Sequence, residues 1–129
     1  MKLNRIHHVA IIASDYEKSK YFYTDILNLE IIRENYRKER DSYKLDLKIG
    51  ESEIELFSFP NPPERPTTPE ARGLRHLCFS VDDLNKTVAE LNQNGIATER
   101  IRLDEFTGGL YTFLKDPDGL PIELYMTNK

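Results

Sequence analysis

Two tandem βαβββ modules, an α+β arrangement, are the architecture expected of this chain. The first reason is an internal repeat. Sliding the sequence by 68 positions lays His8-Val9-Ala10-Ile11 on His76-Leu77-Cys78-Phe79, and Ile54-Glu55-Leu56-Phe57 on Ile122-Glu123-Leu124-Tyr125. The second is a shared order of signals in each copy: a short apolar strand, a capped helix, then alternating strands. The third is the stretch Phe59 to Pro69, which holds five of the seven prolines and so suits neither a helix interior nor a central strand. We read module one as 1–59, an extended linker as 60–73 and module two as 74–129, packed as one domain because about 60 residues make a marginal core alone.

In the first copy, Ile6 to Ala13 reads as a buried strand. Ser14-x-x-Glu17 is a capping box, so a helix is predicted from there, with Phe22, Tyr23 and Ile26 at helical spacing and Asn28 as a left-handed stop. A short strand is expected at Leu29 to Arg33. Tyr43, Leu45, Leu47 and Ile49 alternate with Lys44, Asp46 and Lys48, which predicts a half-exposed strand. Gly50-Glu51 turns the chain into a last strand, Glu53 to Phe59. In the second copy, His76 to Ser80 is a strand, Asp82 caps a helix with Leu84, Val88 and Leu91 inward, and Gly95 ends it. Strands near Ala97 to Ile101, Leu110 to Leu114 and Pro121 to Tyr125 follow, the last after an Asp116-Pro117-Asp118-Gly119 turn.

Composition narrows the function. The chain has 129 residues and a net charge of −4, with 39% apolar and 31% charged residues, a globular balance without the basic surplus of a nucleic-acid binder. No apolar run is long enough to span a bilayer, so no membrane role is expected. A single cysteine, Cys78, excludes an internal disulfide framework and fits a reducing compartment. With no signal-peptide pattern at the start, the cytoplasm is the expected location.

The repeat also carries chemistry. His8 to Glu55 spans 47 residues, and so does His76 to Glu123. Each copy therefore offers an imidazole on its first strand and a carboxylate on its last. A carboxylate in such an apolar strand is costly to bury unless it is paired or bound to a cation. Two imidazoles and two carboxylates make a divalent-metal set, with Zn, Ni, Co, Fe or Mn all admissible; the bland alternative is a salt-bridged polar cluster. The remaining candidates read modestly. His7 has no repeat partner and is assigned a surface or packing role. Cys78 is read as a buried inert thiol. Thr107-Gly108-Gly109 is read as a mobile loop over the cavity, and Arg33 to Asp41 as a solvated loop from which Arg33 or Arg37 could hold an anionic substrate.

These residues resemble the vicinal oxygen chelate superfamily, in its glyoxalase I-like branch. The matching pieces are Ile6-His7-His8-Val9-Ala10-Ile11, Tyr21 to Leu29, Ile54-Glu55-Leu56, Leu74 to Val81, and Asp116-Pro117-Asp118-Gly119-Leu120-Pro121-Ile122-Glu123-Leu124. The resemblance covers almost the whole chain. It implies paired βαβββ modules forming a cup around a metal, and a homodimer. It places the ligands at His8, Glu55, His76 and Glu123. It also implies proton transfer beside a metal-chelated carbonyl, of lyase or isomerase type, with Glu123 as first candidate base and Glu55 on the opposite face of the substrate.

Three departures bear on the substrate. An arginine, an asparagine and a lysine that grip glutathione in such enzymes are here Ile12, Phe59 and Thr107. A smaller or more apolar small molecule than a glutathione hemithioacetal therefore suits a pocket of Ile12, Phe57, Phe59, Tyr125, Thr107 and Arg33. Two other readings use the same scaffold. A dioxygenase would need Fe(II) and would consume oxygen, and a non-catalytic metal or small-molecule binder would retain a ligand without turnover.

Overall fold

In the computed structural model, which describes residues 1–128, the chain forms two compact units, Met1–Glu64 and Arg65 onward. The first holds β1 (His8–Ala13), α1 (Tyr16–Tyr21), a π-helical turn (Phe22–Ile26), β2 (Glu30–Arg37), β3 (Ser42–Ile49) and β4 (Ser52–Ser58). The second holds β5 (Leu77–Ser80), α2 (Leu84–Gln93), β6 (Arg102–Leu103), β7 (Leu110–Lys115) and β8 (Pro121–Met126). Both units thus run strand, helix, three strands. Their sheets have equivalent orders, β1-β4-β3-β2 and β5-β8-β7-β6. In each, the first strand lies parallel beside the last, and the other pairs are antiparallel.

Alternation decides which way each sheet faces. Leu45, Leu47, Ile54 and Leu56 are fully or almost fully buried, as are Phe22 and Tyr23 from the helical segment. Burying one such aliphatic side chain is worth about 1.5–3 kcal/mol, more than a surface polar contact. This row therefore fixes the apolar face and leaves Glu53, Glu55 and Phe57 on the other. In the second unit Leu114, Ile122 and Leu124 are buried together with Leu84 and Leu91 of α2, so Glu123 and Tyr125 take the opposite face.

Several boundaries differ from the sequence expectation. The helix caps sit one residue later: Asp15 accepts from the Lys18 amide at 3.1 Å and Asp83 from the Lys86 amide at 3.0 Å. With the cap moved one position on, the amide that is capped moves too, to Lys18 instead of Glu17 and to Lys86 instead of Asn85. β2 runs on to Arg37, so much of the charged stretch 33–41 is strand rather than loop. It ends in a 3₁₀ turn (Lys38–Arg40) and left-handed Asp41. β2 is an edge strand, and charged side chains on an edge discourage pairing with another chain. The strand expected at 97–101 is absent. The Glu99 amide bonds the Phe113 carbonyl at 2.9 Å, but the Glu99 carbonyl goes to the Thr112 hydroxyl, so no ladder forms until Arg102. Asn28 is left-handed as expected, and Asp116 Oδ1 closes its turn by accepting from the Asp118 and Leu120 amides, each at 2.9 Å. No helix among the described residues is long and apolar enough to cross a membrane.

Candidate metal centre

In the first unit the parallel pairing of β1 with β4 brings the predicted imidazole and carboxylate together: His8 Nε2 lies 3.6 Å from Glu55 Oε1. His7, which the sequence assigns a surface or packing role, bonds its neighbour, with Nδ1 of His7 2.9 Å from Nδ1 of His8. One ring donates and the other accepts. With His8 as donor, its Nε2 lone pair is free to take a cation.

The same face carries a charged network that the sequence does not announce. Asp46 is fully buried and bonds Lys44 Nζ at 2.9 Å and the Arg33 guanidinium. Burial alone would raise its carboxyl; hydrogen bonds from Lys44 and then Arg33 outweigh it and hold the carboxyl below the usual range. Lys44 Nζ also stands 3.5 Å from Glu55 Oε2, and Arg33 3.9 Å from Glu53. Carboxylate oxygens of Asp46, Glu53 and Glu55 lie within 4.8 Å of one another, a spacing that could suit an ion. Lys44 and Arg33 already occupy these carboxylates and offset two of their three charges, so we do not read the cluster as a second metal site. Arg33, placed by the sequence in the substrate pocket, is engaged in this network.

In the second unit, Glu123 on β8 sits in register between Cys78 of β5 and Phe113 of β7. His76 Nε2 is 2.9 Å from Glu123 Oε1, and the Phe113 ring meets the His76 ring edge-to-face at 5.1 Å. Arg75 Nη1 faces His76 Nδ1 at 3.3 Å. A guanidinium only donates, so this arrangement puts the imidazole proton on Nε2, toward Glu123. A metal at Nε2 requires the other tautomer, and Arg75 then gives up this contact. Cys78 is exposed, not buried as expected. Partial burial of its sulfur, and then the Glu123 carboxylate, push the thiol up to about 11.

The other pocket candidates fall into two groups. Ile12 is exposed on the Glu55 face of β1, in register with Phe57. Phe57 and Phe59 stack at 5.9 Å, and Arg37, the other anion-holding candidate, lies over both rings. In the second unit the Tyr125 hydroxyl bonds Thr107 Oγ1 and donates to Asp104 Oδ2 at 3.0 Å. Asp104 escaped the sequence reading. Residues 104–109 are not a loose flap: the Asp104 amide bonds the Gly109 carbonyl at 2.8 Å, and the Gly108 amide bonds the Asp104 carbonyl at 2.7 Å. A Cβ on Gly109 would stand 2.5 Å from Tyr125 Oη, so the close approach needs glycine.

Within each His–Glu pair the donors fit a divalent metal. Ligand bonds of about 2.1 Å put neighbouring ligand atoms about 3 Å apart, close to the separations within both His–Glu pairs. Residues 5–124 match the family model of the Glyoxalase/Bleomycin resistance protein/Dioxygenase superfamily. The chain belongs to this superfamily. Members of the Glyoxalase/Bleomycin resistance protein/Dioxygenase superfamily commonly use a divalent metal and generally bind small molecules. Within the superfamily, the chain is 61% identical over 126 residues to the uncharacterized protein YwkD of Bacillus subtilis (strain 168), covering 97% of this chain and 98% of that one. It is 28% identical over 134 residues to mitochondrial methylmalonyl-CoA epimerase of Mus musculus, covering 95% of this chain and 73% of that protein. The crystal structure of the glyoxalase family protein from Enterococcus faecalis superposes with a TM-score of 0.89 at 51% identity, covering 97% of this chain and 99% of that one.

Proposed function

We propose that the chain is a divalent-metal-dependent enzyme of lyase or isomerase type that moves a proton at a carbon beside a carbonyl, with His8, Glu55, His76 and Glu123 as the metal ligands. The observation that carries this reading is the doubled His–Glu pair, at 3.6 Å and 2.9 Å, with His8 opening β1, His76 immediately before β5, which starts one residue later than the sequence predicts, and each carboxylate on the last strand of its sheet. A divalent ion held by these residues supplies Lewis acidity toward a carbonyl oxygen.

The two carboxylates are not equivalent, and the difference assigns their roles. Lys44 stands 3.5 Å from Glu55 Oε2, whereas among the described residues no Lys or Arg lies within ion-pair distance of Glu123. Glu55 is therefore anchored. Glu123 contacts His76 and Cys78, and the Arg75 guanidinium acts on it only from beyond ion-pair distance, so it is the freer of the two to swing and accept a proton from carbon. The same carboxyl returns that proton to the adjacent carbon in the isomerase case. Ile12, Phe57 and Phe59 offer an apolar surface for a reacting end smaller or more apolar than a glutathione adduct. The epimerase among the relatives favours the isomerase class.

The test is metal analysis of the purified protein, followed by a panel of compounds with an acidic C–H beside a carbonyl, monitored by proton–deuterium exchange in heavy water. The expected result is bound divalent metal and exchange that falls at least a hundredfold in Glu123→Gln and less in Glu55→Gln. Absence of metal above background, or exchange unaffected by Glu123→Gln, refutes the proposal.

A further inference from the structure

A cavity of about 820 Å³ opens in the second unit between the segment after Arg65, the stretch following α2, and β7. Its charge is out of proportion to the chain. Arg65, Arg72, Arg75, Arg102 and Lys115 line it, five of the eight Lys and Arg from residue 65 onward. Only Glu70 and Glu99 line it among ten Asp and Glu of the same stretch. A protein of net charge −4 has thus gathered a surplus of three positive charges around one hollow.

The five cations are differently engaged. Arg75 is paired with Glu70, and Arg102 with Glu99 at 2.5 Å while lying over the Tyr111 ring. Arg65 donates to the Leu74 and Arg75 carbonyls at 2.7 and 3.1 Å and so braces the segment that walls the cavity. Arg72 and Lys115 are exposed and have no partner among the described residues. Leu74, Ile96, Leu114 and Phe113 give the lining an apolar part, and His76 also belongs to it.

We propose that this cavity binds a phosphate group carried on an organic body, the tail of the substrate whose reacting end meets the His76–Glu123 pair. The unpaired Arg72 and Lys115, which with Arg65 make up that surplus, match a dianionic group with several acceptor oxygens. The volume falls in the range that encloses a drug-sized molecule, so more than a bare ion is accommodated, and the apolar lining residues suit the body that carries the charge. This assignment rests on the proposed function only for the word substrate; the binding site stands on the cavity itself.

The experiment is calorimetric titration of the metal-free protein with ADP, inorganic phosphate and S-methylglutathione at low salt, with the double variant Arg72→Gln/Lys115→Gln in parallel. Both positions are exposed and unpartnered, so the variant folds, and circular dichroism verifies it. Saturable ADP binding is expected, tighter than that of inorganic phosphate or S-methylglutathione, about tenfold or more weaker in the double variant and weaker at high salt. No saturable ADP binding, or equal binding by the variant, overturns the proposal. Inorganic phosphate binding as well as ADP overturns the tail assignment, and S-methylglutathione binding as well as ADP overturns the phosphate. A separate cobalt titration of the unsubstituted protein reports on the four ligands. Loss of cobalt binding with ADP binding intact refutes the metalloenzyme reading alone, and the reverse refutes the cavity alone.

Discussion

Replacing Asp46 by Asn keeps the side-chain shape but removes the charge that Lys44 and Arg33 share. The Asp46 side chain has no solvent exposure, while Lys44 is 28% and Arg33 53% exposed. A hydrogen bond to a charged group is worth about 1.5–3 kcal/mol, and the half-exposed Arg33 contributes at the low end. The loss near pH 7 is about 3 kcal/mol, in line with breaking one side of a buried ion pair. The sign of the pH dependence follows from the lowered Asp46 carboxyl. Its contribution is fully present above the unfolded-chain value of about 3.9 and is lost as pH falls through the lower folded value. Urea unfolding of both proteins at neutral pH and near pH 3 checks this: a gap of about 3 kcal/mol should narrow in acid. A neutral-pH gap below about 0.5 kcal/mol, or one that does not narrow, refutes the account of this network.

Three further expectations follow from the same contacts. Gly109→Ala drives a methyl group into Tyr125, costs about 2 kcal/mol in thermal unfolding, and leaves Gly95→Ala, with open space around it, as a control strained only by its positive φ. Asp116→Ala strands the Asp118 and Leu120 amides at a buried turn and costs about 2 kcal/mol by urea titration. Arg75→Gln removes the donor opposite His76 Nδ1, so cobalt binds several-fold tighter in a spectrophotometric titration; unchanged or weaker binding refutes the tautomer argument.

The parts legible in the sequence were those set by short-range periodicity or by the repeat. Glu55 and Glu123 could be placed because alternation along a strand fixes their face. The spacing of 47 paired each with a histidine that the parallel strand then brought near. The helix starts were visible too, but Ser14 and Asp15, like Asp82 and Asp83, are competing caps. The choice depends on where the preceding strand ends, which local pattern does not encode. Asp46 was hidden because a charged residue alternating with Leu45 and Leu47 reads as solvent-facing. Only Arg33 from β2 and Lys44 from its own strand make burial tolerable. Asp104 and the cavity were hidden for a related reason, since both depend on loops whose partners lie far along the chain.

The outermost position of β1 and β5 has its own consequence. Each is an edge strand joined to a single neighbour, and in each unit the His–Glu contact crosses that junction. Edge strands are where amide protons escape most readily to solvent, so these two strands are natural gauges of what sits on their histidines. Whatever grips an imidazole and its carboxylate together also latches the strand. The deuterium uptake of Val9 to Ile12 and Cys78 to Ser80 would then record occupancy of each His–Glu pair without any turnover assay.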